Sequence, residues 1–306
     1  MRSISREDIL ETRQLTKKFG NKLAVDHVDM HIRKGDIYGL IGKNGAGKTT
    51  IMRMMLSLAF PTSGEIYMFG KPITGTSDVK VGSLIEAPGI FKSYSAYDNL
   101  KAFCVLYGID DAVIEPILRI VGLADTGKKK AGQFSLGMKQ RLGIAIALLA
   151  EPEIIILDEP VNGLDPAGIK DVRDLVIKLN QEKGVTFVIS SHLLDELSKM
   201  VTKYGIINNG CLLEELDAAE LERRGSHQIV ITVSDPLKSA NLLSGSGMIP
   251  PQNICIAGNQ LLINANFQDS ARFNKLLVDN DIWVSSLELK SEGVEQYYMH
   301  AMGDMR

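Results

Sequence analysis

Apolar residues along the chain fall into two patterns. Val28, Met30 and Ile32 alternate with polar neighbours, the period of a half-buried strand, and residues 9–16 read as a strand before them. Continuous apolar runs at 37–41, 154–157 and 185–189 predict strands buried on both faces, as strands of a parallel sheet are. Shorter strands are expected at 65–69, 79–85, 204–207 and 211–214, with a loop at 70–77. Helices are expected at 50–56, 111–121, 136–150, 167–183 and 193–200. Gly122 and Gly184 stop two of these, Ser135 and Pro166 open two, and Ser95 with Asp98 three residues on caps a further helix that Gly108 closes.

Alternating strands and helices up to about residue 215 predict an α/β core with a parallel sheet. The run of helices from about residue 86 to 132 interrupts that alternation and predicts an inserted helical subdomain, drawn at about 87–150. Beyond residue 215 the pattern changes. Arg223-Arg224-Gly225-Ser226 reads as a linker, and Ile229, Ile231 and Val233 as a strand. A helix is expected at 236–243. Gly258-Asn259 joins 254–256 to 261–263 as a hairpin, followed by a helix at 269–279, a strand at 282–289 and a last helix at 294–302. The expected division is therefore 1–221 for the α/β domain and 222–306 for a small α+β accessory domain.

Composition narrows the classes. Of 306 residues, 45% are hydrophobic and 23% charged, as in an ordinary globular protein. A net charge of −3 leaves no basic footprint, so nucleic acid is not an expected partner. Cys104, Cys211 and Cys255 have no metal-ligand spacing and form no disulfide framework, which suits a reducing cytosol. The longest apolar stretch, 142–150, is too short to span a bilayer, and the first residues lack the apolar core of a signal peptide. A cytoplasmic chain is expected, reaching any membrane through a partner.

The chemistry concentrates in Gly42-Lys43-Asn44-Gly45-Ala46-Gly47-Lys48-Thr49, which fits the phosphate-binding pattern G-x-x-x-x-G-K-[ST] between a strand and a helix. Its glycines let backbone N–H groups approach a phosphate at a helix N-terminus, where the helix dipole favours an anion. Lys48 supplies charge for the terminal phosphates, and Thr49 a hydroxyl for Mg2+. Asp158 and Glu159 end a buried strand: Asp158 is placed to hold magnesium, and Glu159 to orient an attacking water or accept its proton. Ser135 with Gly137 reads either as an ordinary helix cap or as an anion-facing terminus. His192, just past a strand, reads either as a surface histidine or as a phosphate sensor, and Asp165 either as a helix cap or as part of the site.

Taken together and in this order, the motifs resemble the nucleotide-binding subunits of ABC transporters over about residues 9–215. The resemblance implies a P-loop core of ABC type with an antiparallel β subdomain and a helical subdomain. It also implies ATP and Mg2+ as ligands, transmembrane permease subunits as partners, and a head-to-tail dimer, homodimeric or with a close paralogue. In that dimer Ser135 and Gly137 would face the γ-phosphate of the other protomer. Phe19 falls where the family stacks an aromatic on adenine, with core packing as the alternative. Asn44 and Thr50 complete the nucleotide-binding set. Glu86 stands where the family has a glutamine that senses magnesium and the γ-phosphate; a carboxylate accepts hydrogen bonds but donates none. The signature Phe134-Ser135-Leu136-Gly137-Met138 also departs from L-S-G-G-Q. Both departures resemble the subgroup that exports bacitracin and lantibiotics. An exporter of another substrate, or a non-transport ABC ATPase, is the competing expectation.

Overall fold

The computed structural model describes residues 8–73, 81–224, 227–265 and 269–291. The chain divides into two compact units, 1–218 and 219–306.

The first unit opens with a long hairpin. Strand β1 (Asp8–Phe19) pairs antiparallel with β2 (Lys22–Arg33), and β1 also pairs with β4 (Ser63–Met68), which β5 (Lys71–Pro72) flanks. This gives a four-stranded antiparallel sheet in the order β2-β1-β4-β5. The alternation seen in sequence is real: Val28, Met30 and Ile32 are all buried. Phe19 is the last residue of β1, and the turn itself is Gly20 and Asn21.

The second sheet has six strands in the order β10-β9-β3-β8-β7-β6. They are β3 (Ile37–Ile41), β6 (Val81–Leu84), β7 (Ile154–Asp158), β8 (Thr186–Ser191), β9 (Lys203–Asn208) and β10 (Cys211–Asp217). All pairings are parallel except that of β10 with β9. Every residue of β3, β7 and β8 is buried, as unbroken apolar runs require. Tyr38, fully buried on β3, donates to Glu215 Oε1 of β10 at 2.9 Å; burial and that neighbouring carboxylate push its phenol well above the usual range.

Helix α1 (Lys48–Met55) lies between the two sheets, within a core shared by Met30 and Ile66 of the first and Leu40, Ile156 and Val188 of the second. Ile51, Met52, Met54 and Met55 are buried, and Arg53 is the residue that turns outward. Three helices follow β6: α2 (Ala96–Tyr107), α3 (Ile114–Ile120) and α4 (Leu136–Leu148). Ser95 caps α2 by accepting from the Asp98 N–H, and Gly108 ends it in the left-handed region, as the sequence pattern predicts. Residues 87–94 are not helical, so the helical segment starts later than expected. Helix α4 is buried on several sides because it packs on β6, α2 and α5 (Pro166–Lys183). The helix expected at 193–200 is the shorter α6 (Leu194–Ser198).

Of the linker expected at 223–226, Arg223 and Arg224 are instead the end of α7 (Ala218–Arg224), and Gly225 and Ser226 lie outside the described residues. The second unit follows as β11 (His227–Val233), α8 (Pro236–Gly245), β12 (Ile254–Ala257), β13 (Gln260–Asn264), α9 (Ser270–Val278) and β14 (Val284–Ser291). Its antiparallel sheet runs β12-β13-β11-β14, a β-α-β-β-α-β arrangement of the ferredoxin-like kind. Ile229, Ile231 and Ile263 of the sheet pack against Leu243 of α8 and Phe273 and Leu277 of α9. The helix expected at 294–302 lies outside the described residues.

Candidate nucleotide-binding site

Parallel pairing brings the motifs together. Register places Ile41 beside Ser191, Asp158 beside Ser190 and Leu84 beside Leu157. The loops leaving these strands therefore emerge along one edge of the sheet, where ligands bind in open α/β sheets. That edge collects Gly42, Glu86, Glu159 and His192 from stretches up to 150 positions apart in the chain.

The phosphate loop turns through two left-handed glycines, Gly45 at φ 84° and Gly47 at φ 112°. A side chain at Gly47 would also meet the carbonyl of Ala24 at 2.6 Å, so the position excludes any other residue sterically as well as conformationally. Asn44 and Gly45 are exposed, and Thr49 and Thr50 are half-buried at the start of α1. Lys43 is exposed too.

Lys48 is 5% exposed, and burying an ammonium group demands partners. It donates to the Gly42 carbonyl at 2.6 Å and the Lys43 carbonyl at 3.4 Å, and pairs with Glu159 Oε1 at 3.2 Å. The other Glu159 oxygen lies 2.7 Å from His192 Nδ1. One carboxylate thus bridges the loop lysine and the histidine. Glu159 itself has φ 48°, a left-handed conformation uncommon for a residue other than glycine. Thr49 Oγ1 donates to Asp158 Oδ2 at 2.8 Å.

The remaining candidates lie apart from this cluster. Glu86, also left-handed at φ 64°, is ion-paired with Arg53, the outward residue of α1. Ser135 is an exposed cap of α4 that accepts from the Met138 N–H at 3.2 Å, and Asp165 is an exposed cap of α5 that accepts from the Gly168 N–H at 2.9 Å. Their helix starts touch: a side chain on Gly137 would lie 3.4 Å from Gly168 Cα, and one on Gly163 the same distance from Leu136 Cδ2. Among the described residues no hydrogen bond or ion pair ties Ser135, Gly137 or Asp165 to loop 42–49. Phe19 is 54% exposed, so it is not a core residue, and the Lys17 ammonium sits 5.0 Å from its ring centre.

Residue reasoning passed over Arg53 and Ser190. Arg53 is the only charged residue in the six that follow Thr49, a signal that was available; Ser190 had none beyond its place two residues before His192.

Residues 25–162, from the hairpin through the acidic pair, match the ABC transporter family model. The chain belongs to the ATP-binding subunits of ABC transporters, a family of ATPases that bind ATP and work with membrane permease subunits. It is 40% identical to the bacitracin transport ATP-binding protein BcrA of Bacillus licheniformis, across 96% of this chain and 97% of that protein. It is 43% identical to the lantibiotic transport ATP-binding protein SrtF of Streptococcus pyogenes, across 72% of this chain and 98% of that protein. Among solved structures it resembles cbiO1 of Clostridium perfringens, part of the cbiONQ ABC transporter complex, with a TM-score of 0.66 at 26% identity over 71% of this chain and 92% of that one.

Proposed function

We propose that this chain is the ATP-hydrolysing subunit of a bacterial exporter that confers resistance to peptide antibiotics of the bacitracin or lantibiotic type. The observation that carries the reading is the 40% identity to a bacitracin transport protein over nearly the whole of both chains, second unit included. Glu86 in place of the usual glutamine supports the same subgroup. The match to the lantibiotic transport protein covers 225 residues against 218 in the first unit, so the reading assigns transport energetics to the first unit.

In this reading ATP sits on loop 42–49 with its adenine on the exposed ring of Phe19. The terminal phosphates displace Glu159 from Lys48, because a polyanion offers the buried ammonium more charge than one carboxylate does. Glu159 is then free to polarise the attacking water, and His192 offsets charge on the γ-phosphate. Thr49 and Asp158 present a hydroxyl and a carboxylate oxygen in direct contact, the hard oxygen pair that suits Mg2+ together with phosphate and water. Magnesium supplies charge neutralisation on the phosphates when bound. Ser135 and Asp165 are exposed caps of two helix starts that meet at the buried Gly137, and among the described residues none of the three bonds to loop 42–49, which supports their acting on the nucleotide of a second copy across a head-to-tail dimer.

The permease contact falls on the helical segment. Phe91, Tyr94, Phe103 and Tyr107 form a chain of rings with centroids 5.4 to 6.0 Å apart, and Val105 and Leu106 beside them are 77% and 71% exposed. Contiguous apolar exposure of this kind marks a docking surface. Glu86 begins the loop that leads to it, which suits a relay between the γ-phosphate and the permease. The chain would then lie on the cytoplasmic face of the membrane.

Expression together with its permease subunits in a sensitive bacterium should raise the inhibitory concentration of bacitracin or of a lantibiotic. Unchanged sensitivity to both would overturn the substrate assignment. Glu86→Gln replaces a carboxylate with a group that also donates, and leaves Arg53 without its ionic partner. It should change ATP turnover severalfold and shift resistance with it; turnover and resistance both equal to wild type would remove Glu86 from the relay.

A further inference from the structure

Ser190 sits near the end of β8, directly across from Asp158 of β7. It is fully buried. Its hydroxyl donates to Asp158 Oδ1 at 2.5 Å and accepts from the Glu159 N–H at 2.9 Å. The donor and an acceptor of one hydroxyl are thereby spent on the two adjacent acids.

The two bonds do different things. The first engages one oxygen of Asp158, leaving Oδ2 as the oxygen that meets Thr49. The second fixes the amide of Glu159, a non-glycine residue in the left-handed region, a conformation that needs support from its surroundings. That turn is what delivers the Glu159 carboxylate to Lys48 and His192. The neighbouring Ser191 is equally buried but bonds only within its own turn, accepting from the Leu193 N–H at 2.9 Å.

We propose that Ser190 is a positioning residue that sets both acids at once, Asp158 toward the magnesium side of the site and Glu159 toward the phosphate loop. The inference rests on the ATPase reading above and adds to it a residue that couples metal placement to base placement. Since His192 lies two residues further along, the same strand end carries the histidine that meets Glu159, so the three groups hold a common geometry.

The test uses the full chain as wild type, Ser190→Ala, Ser190→Thr and Ser191→Ala. ATP affinity is measured in EDTA and in Mg2+, alongside phosphate release and thermal melting. Ser190→Ala is expected to melt near wild type and to bind ATP in EDTA within about twofold of it, while the affinity gained from Mg2+ and kcat each fall about tenfold or more, the usual scale for a group that orients a metal-holding side chain. Ser190→Thr, which keeps the hydroxyl, should recover most of both. Wild-type magnesium dependence and kcat in Ser190→Ala would overturn the inference alone. So would an equal loss in EDTA, or the same losses in Ser191→Ala, since each points to packing rather than positioning. A wild-type chain that neither binds nor hydrolyses ATP would overturn the ATPase reading and this inference with it.

Discussion

Glu159→Gln should reduce ATP hydrolysis by about 10³-fold while leaving ATP binding intact, within the range expected for loss of a general base. The substitution keeps the size of the side chain and removes its charge and its capacity to take a proton. It also removes the carboxylate that holds Lys48 at 3.2 Å, so the ammonium is left with the Gly42 and Lys43 carbonyls and an incoming phosphate meets less competition. ATP affinity is therefore expected to rise rather than fall. With binding preserved and hydrolysis blocked, the exposed helix caps Ser135 and Asp165 should remain closed on a second copy. Light scattering with ATP and Mg2+ should report a dimer for Glu159→Gln and a mostly monomeric wild type after turnover. A variant that stays monomeric with ATP and hydrolyses it at the wild-type rate would refute both the role of Glu159 and the dimer.

Lys48→Ala is expected to act at the opposite stage. Lys48 is nearly inaccessible, and its ammonium is held within the loop by the Gly42 carbonyl. Its removal deletes a charge-assisted contact to the terminal phosphates and leaves Glu159, now paired with His192 alone, facing a polyanion. Each effect weakens binding. A loss of about 100-fold in ATP affinity is expected, equivalent to about 2.7 kcal/mol, while AMP, which lacks the terminal phosphates, should bind Lys48→Ala and wild type alike. Fluorescent nucleotide titration checks both. Equal losses for ATP and AMP would mean that the loop had collapsed and that Lys48 is structural.

Much of this site was legible before any coordinates. The phosphate loop declares itself because its chemistry is local: glycines, lysine and threonine act within eight consecutive positions, and the flanking strand and helix are read from adjacent residues. Asp158 and Glu159 were legible for the same reason, at the end of four β-branched and apolar residues with both faces buried. Helix caps at Ser95, Ser135 and Asp165 were readable because capping is a contact over three positions.

The failures have the converse cause. Arg223 and Arg224 looked like the start of a linker because their composition was weighed without the segment before them. Ala218-Ala219-Glu220-Leu221 are good helix formers, and a helix once begun propagates through arginines at little cost. The partner of Glu86 was not legible either: its carboxylate is paired with Arg53, 33 positions away. Ser190 could be found only through register, since nothing local links it to an acid pair 31 and 32 positions earlier.

The sequence by itself determined the class of protein and the candidate parts of its site: a phosphate loop, two strand-end carboxylates, a histidine and a helix-capping serine. Hydrophobic period and short-range hydrogen bonding specify such parts, and both act within a few residues. Only the tertiary structure decided which parts meet. Parallel register set Asp158 against Ser190 and Ile41 against Ser191. Left-handed backbone at Glu159 sent one carboxylate to Lys48 and His192. The starts of α4 and α5 were packed against each other. Such contacts depend on how strands are ordered and aligned over more than a hundred residues, and no local pattern encodes that alignment.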